Sequence, residues 1–175
     1  KYQHYFQIYS LENNNENRNE NINNINDKIK IDEIKVHDTN VGDFKIELTL
    51  SQLETFIGFD NTKELLQIFI NYITNDSSFL STETSSFCPQ ILIRRTCICN
   101  QFIPFHIDKS YHTMQIILEK IYEVEGGNLI YLTNDNECIV TKRSEGMILY
   151  HDKNILHGVR QIDAGVRYGI FFLSK

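Results

Sequence analysis

Three things are scarce or missing in this chain, and each absence excludes a class. No apolar run approaches the ~20 residues a helix needs to cross a bilayer, so no membrane-spanning helix is expected. There is no excess of basic charge: 17 Lys and Arg stand against 23 Asp and Glu, a net charge of -6. That balance speaks against a nucleic-acid binder, because contact with phosphates draws on a basic surface. Cysteine is sparse and irregularly spaced, at Cys88, Cys97, Cys99 and Cys138. These four read as buried or partly buried free thiols in a reducing compartment, not as a disulfide framework. No signal-peptide pattern is seen either. The expected location is intracellular, cytoplasmic or nuclear, and the opening on Lys1 in place of Met reads as that of an excised fragment whose true start is missing.

At 175 residues the chain suits one domain with one core, spanning 1–175. The segment 13–26, NNNENRNENINNIN, has too few apolar side chains to offset the entropy of ordering it, and is expected to be a disordered insertion. It separates a Tyr- and Phe-rich start (Tyr2, Tyr5, Phe6, Tyr9) from the body, and that start suits an outer strand. Ile29 and Ile31, then Phe44, Ile46 and Leu48, alternate as strand residues do. From Asn61 to Asn75 the period changes: Leu65, Leu66, Phe69, Tyr72 and Ile73 form the stripe of a helix that packs on a sheet.

After Ser85 the chain reads as strand after strand, with eight segments near 90–98, 101–107, 113–118, 128–133, 137–142, 146–151, 155–160 and 166–173. Turn residues punctuate them, among them Glu125-Gly126-Gly127 and Asp163-Ala164-Gly165. Eight short strands with no helix between them suit a double-sheet jelly roll over 85–175. The expected fold is therefore mostly β, a double-stranded β-helix core with an N-terminal helix and flanking strands.

On that count, His106 and Asp108 end the second strand, His157 begins the seventh and Arg167 begins the eighth, so all four share one rim. Two His and one carboxylate, bound on one face with positions left open, are the donor set of non-haem Fe(II) oxygenases. Arg167, ten residues past His157, has the planar fork that grips a carboxylate and stays charged at any working pH. His151 is a rival third ligand, and His157 is preferred for its strand position and spacing. Thr113, Gln115 and Ile117 share one face of the third strand. His112 is expected to be exposed in a short loop. Of the adjacent Arg94 and Arg95, one must point inward and needs a partner.

The order His106-Ile107-Asp108, Glu125-Gly126-Gly127, His157 and Arg167 resembles the Fe(II)- and 2-oxoglutarate-dependent dioxygenases, in particular the prolyl 4-hydroxylase-like branch. The likeness covers roughly 85–175. It implies Fe(II) held by His106, Asp108 and His157, and 2-oxoglutarate as cosubstrate with its distal carboxylate on Arg167 and with Thr113 and Gln115 as candidates for holding the oxoacid. It further implies ascorbate as a reductant, O2 as co-reactant and a protein or peptide substrate hydroxylated as 2-oxoglutarate yields succinate and CO2. The chain departs from the pattern at Ile103 and Thr96, where that branch usually has Tyr, and at Gly169, where it often has Ser. Two other readings stay open: a catalytically inactive jelly roll that binds a metal or ligand as a sensor or interaction module, and an oxygenase of small molecules. A cupin-type metal enzyme without an oxoacid would leave Arg167 unexplained.

Overall fold

The computed structural model describes residues 8–10, 35–40, 43–75, 88–97, 102–119, 123–133, 135 and 137–175. The Asn-rich tract, Ile29 and Ile31, and Cys99 lie outside the described residues. The N-terminal part supplies β1 (Ile8–Ser10), β2 (Lys35–Asn40), β3 (Asp43–Leu48), α1 (Leu50–Ile57) and α2 (Phe59–Asn75). Ten strands follow: β4 (Gln90–Thr96), β5 (Ile103–His106), β6 (His112–Ile117), β7 (Val124–Gly126), β8 (Leu129–Leu132), β9 (Cys138–Thr141), β10 (Met147–Asp152), β11 (Leu156–Val159), β12 (Ile162–Gly165) and β13 (Arg167–Ser174).

Two sheets carry the architecture. The larger runs β1-β10-β6-β13-β4-β3-β2 and the smaller β5-β11-β8-β9. Counting the eight expected segments in chain order, strands six, three, eight and one lie side by side in the first sheet, and two, seven, four and five in the second. That interleaving is the double-stranded β-helix. The expected segments are thus all strands, and the helix expected over Asn61–Asn75 lies within α2. No helix of the described residues is long and apolar enough to cross a membrane.

The larger sheet is covered on both faces, and strand parity divides the work. Met114 and Ile116 of β6, Ile148 and Tyr150 of β10, and Ile170 and Phe172 of β13 pack on the helices. The alternate residues face the smaller sheet, where Ile117 and Leu149 meet Leu129, Tyr131 and Val159. All six residues of β6 are consequently buried. From α2, Phe69 and Ile73 enter the first cluster, with Leu65, Leu66 and Tyr72 packed at its margin.

The structure corrects four expectations. Glu125-Gly126 and Asp163-Ala164-Gly165 are not turns; they lie in β7 and β12, which pair as a separate two-stranded ribbon. A Cβ at Gly165 would collide with the Glu123 carbonyl oxygen, so glycine here serves close strand approach. A second helix, α1, precedes the expected one, started by a capping box in which Thr49 and Gln52 satisfy each other's backbone N–H. His112 is buried and within hydrogen-bond reach of Ser174 Oγ at 3.0 Å from its Nδ1. Cys88 and Cys138 are exposed free thiols, and Cys97 is the partly buried one.

Phe172 is fully buried with its ring 5.9 Å from that of Phe69. Truncation to alanine should cost about 3–5 kcal/mol, the range for an aromatic removed from a packed core. Urea unfolding measures it; a loss under about 1 kcal/mol would mean that α2 does not rest on this sheet.

Candidate metal and anion site

β11 lies beside β5 with His157 directly opposite His106, and the two rings approach to 4.4 Å between centroids. Asp108 stands two residues beyond the end of β5. The ligating atoms of His106, Asp108 and His157 all lie within 4.8 Å of one another, so the structure brings together the three residues singled out in the sequence.

The hydrogen bonds around them fix the protons. His106 Nδ1 is 2.9 Å from the Pro104 carbonyl oxygen, and His157 Nδ1 is 3.0 Å from that of Ile155. A carbonyl can only accept, so each Nδ1 carries a proton and donates it, and in the neutral form of either ring Nε2 keeps a bare lone pair. Those two Nε2 atoms face Asp108 Oδ1 at 3.5 and 3.7 Å. Burial first, then the neighbouring His151, push the His157 pKa down to about 4. The ring is therefore neutral at pH 7.

Asp108 Oδ2 is held from behind. Thr113 Oγ1 donates to it at 2.7 Å, and His151 Nε2 lies 2.9 Å away. Since the Thr113 proton goes to the carboxylate, the 2.8 Å contact between Ser110 and Thr113 has Ser110 donating. Burial acts to raise the Asp108 pKa. The hydrogen bonds from His151 and Thr113 and the His151 and His157 rings outweigh it, and the carboxyl titrates well below the usual carboxylate range. His151 thus carries its proton on Nε2, the opposite tautomer from His106 and His157, and backs the aspartate instead of joining the converging lone pairs. Thr113 departs from its expected place for the same reason: its hydroxyl belongs to Asp108 and does not line the cavity.

A cavity of ≈480 Å³ opens beside these groups, lined among others by His106, Asp108, His157, Gln115, Arg143 and Arg167. That volume suits a small organic ligand. Arg167 opens β13 and is 7% exposed, with Nε buried and without a hydrogen-bond partner. Burial first, then Arg143, push its pKa down to about 9, which leaves it charged at neutral pH. Its side chain passes over Gly127, whose φ is +64° and where a Cβ would stand 3.0 Å from Arg167 Cδ. Gln115 lines the cavity as expected, and its Nε2 lies 3.3 Å from where a Cβ at Gly169 would be. The bare Gly169 leaves room for that amide.

The paired arginines separate as parity requires. Arg94 lines the cavity but is closed off by Asp43, which it grips with Nε and Nη2 at 2.7 and 2.8 Å. Arg95 is exposed, 3.4 Å from the Tyr168 hydroxyl. Arg143 was not anticipated. It follows β9 next to a turn, and the sequence signal was only its parity with buried Thr141.

Among solved structures the fold is similar to an oxidoreductase of the 2OG-Fe(II) oxygenase family from Burkholderia pseudomallei, at 13% identity and TM-score 0.56 over 81% of this chain and 72% of that one. It is likewise similar to a Pseudomonas putida prolyl-4-hydroxylase, at 16% identity and TM-score 0.56 over 82% and 78%. A prolyl 4-hydroxylase structure from Phytophthora capsici aligns at 16% identity and TM-score 0.55 over 75% and 47%. No protein-family model and no curated protein matches the sequence. At such identities the likeness defines the fold: this chain has the jelly-roll fold seen in 2-oxoglutarate–iron oxygenases.

Nitrogen-15 spectra of the metal-free protein near pH 7 should show His106 and His157 protonated on Nδ1 and His151 on Nε2. An Nε2 proton on His157 would contradict the converging lone pairs. Gly127→Ala should destabilise by about 1–2 kcal/mol through its positive φ, as read by thermal unfolding.

Proposed function

We propose that the chain is an Fe(II)- and 2-oxoglutarate-dependent dioxygenase that hydroxylates a C–H bond, with a protein side chain as substrate. The observation that carries the reading is the tautomer arrangement: two backbone carbonyls leave His106 Nε2 and His157 Nε2 bare and facing Asp108 Oδ1. Three lone-pair atoms without a proton between them repel one another unless a cation sits among them. Neutral imidazoles and an ionised carboxylate are the state a divalent metal requires, and the bonded Nδ1 atoms are the outer contacts that orient metal-binding His. The residues therefore fit Fe(II), with His106, Asp108 and His157 as its ligands. Iron bound there supplies the redox chemistry that couples O2 to oxidation of an oxoacid and of a C–H bond.

The remaining roles fall to the chain's own groups. Thr113 and His151 hold Asp108 by Oδ2, so that Oδ1 is the oxygen it would offer to a metal. Arg167 anchors the distal carboxylate of 2-oxoglutarate, and the Gln115 amide donates to the oxoacid across the space left by Gly169. Val159 and Leu129 give the cavity apolar wall, which keeps water from competing for the same donors. A macromolecular substrate is supported by Phe102, Phe105, Ile107 and Tyr111, large side chains exposed on the segment that carries His106 and Asp108. An extended peptide can lie along such a rim.

Anaerobic Fe(II) titration followed by a succinate assay with 2-oxoglutarate tests the core of the reading without a known substrate. Succinate formation no greater than in a metal-free control would favour an inactive binding module. Arg167→Ala should weaken 2-oxoglutarate binding by about 2–4 kcal/mol, the loss of one partner of a charge-assisted pair, while iron affinity barely changes. Equal loss of both would make Arg167 a support of the fold. For the substrate, the loaded protein is incubated with a proteome and peptides gaining one oxygen are sought. No enriched peptide, with turnover stimulated by a metabolite, would replace the protein substrate by a small molecule.

A further inference from the structure

Arg143 and Glu119 form a pair that is left half made. Both are buried, and Arg143 Nε donates to Glu119 Oε1 at 2.6 Å. The other carboxylate oxygen is taken by the Tyr168 backbone N–H at 3.0 Å. Arg143 Nη1 and Nη2 are left buried without a hydrogen-bond partner. Arg94 and Asp43 show what a closed pair looks like in this same protein, with two nitrogens on two oxygens. An arginine recruited only to neutralise Glu119 would be expected to adopt that fork.

Pairing points the same way. Glu119 is bonded to Arg143 and Asp43 to Arg94, whereas Arg167 is buried with its Nε lacking any hydrogen-bond partner. Burying an uncompensated charge is costly, and orphaned guanidinium N–H groups add to the cost. One carboxylate removes both penalties, since its two oxygens offer about four acceptor positions to Arg143 Nη1, Arg143 Nη2 and Arg167 Nε. Both arginines line the cavity. Tyr131, whose phenol burial holds protonated, is close enough to feel both of their charges.

We infer that Arg143 and Arg167 form a two-guanidinium cradle that takes the distal carboxylate of a 2-oxo dicarboxylic acid. Arg143 thereby becomes a second cosubstrate-binding group. This deepens the reading of the cavity as an oxoacid site and rests on it for the identity of the ligand. A monocarboxylic oxoacid such as pyruvate, with its one carboxylate next to the oxo group, cannot satisfy the cradle and the metal together.

The test reads binding and not turnover. Glutarate and 2-oxoglutarate are titrated separately into the metal-free protein labelled with nitrogen-15 arginine. The side-chain resonances of Arg143 and Arg167 are followed, and affinities are taken from calorimetry. Both arginines should move together and saturate at one ligand per chain. Arg143→Lys, which keeps a charge beside Glu119, should weaken both ligands about 10- to 100-fold, the worth of a charge-assisted bond. The double variant Glu119→Gln/Arg143→Met should weaken them at least as much. Movement of Arg167 alone, or no movement of Arg143 with either ligand, overturns the cradle, and the spectrum of the unsubstituted protein decides this even if the variants do not fold. Metal titration is done in parallel. Failure of Fe(II) to bind while both arginines respond to glutarate removes the iron reading and leaves the cradle standing. Iron binding with a silent Arg143 does the reverse.

Discussion

The carboxylate of Asp108 lies off any strand, and the two sheets of the barrel meet on it. Its Oδ1 faces His106 of β5 and His157 of β11, both in the smaller sheet. Its Oδ2 is gripped by Thr113 of β6 and His151 of β10, neighbours in the larger sheet that are paired in register. A displaced Asp108 would leave His151 without its acceptor, Thr113 without a use for its proton, and two bare imidazole nitrogens with nothing to share. The hydroxyl chain from Ser110 through Thr113 extends this dependence into the turn before β6. One side chain thus ties both sheets together at this end of the barrel.

Much of this was legible in the sequence because it follows from period two. The eight strands declared themselves by alternation between turn residues, and His106, Asp108, His157 and Arg167 stood out as polar groups at strand ends. The helix over 61–75 was readable from its apolar stripe. The helix α1 was equally readable from Thr49 and Gln52, three residues apart as a capping box requires, but eight residues give too short a stripe to draw notice. The β7–β12 ribbon was hidden because glycine marks both turns and close strand approach, and only the pairing partner distinguishes them.

The fine structure of the site was less legible, since it depends on partners distant in sequence. His151 and His157 offer the same ring at similar strand positions. Their opposite tautomers are set by what lies opposite, the Ile155 carbonyl in one case and Asp108 in the other. Thr113 pointed to the expected face and met Asp108 before it could meet the cavity. His112 looked like a loop residue, and is buried because Ser174, 62 positions away, lies beside it. Arg143 had no motif at all; its significance comes from Glu119 spending an oxygen on the Tyr168 backbone.

The larger sheet has one further consequence, which concerns how this sequence can change. Along β6, β10 and β13, odd-numbered residues such as Thr113, Gln115, His151 and Arg167 serve the site, and even-numbered ones such as Met114, Tyr150 and Phe172 serve the layer beneath the helices. The two sets are interleaved like alternate letters of two messages. Substitution can edit one message and leave the other intact. Gain or loss of one residue within these strands exchanges them, turning apolar side chains toward the cavity and charged ones toward the helices. Length is therefore frozen in these three strands, and drift in length is confined to the connections between them.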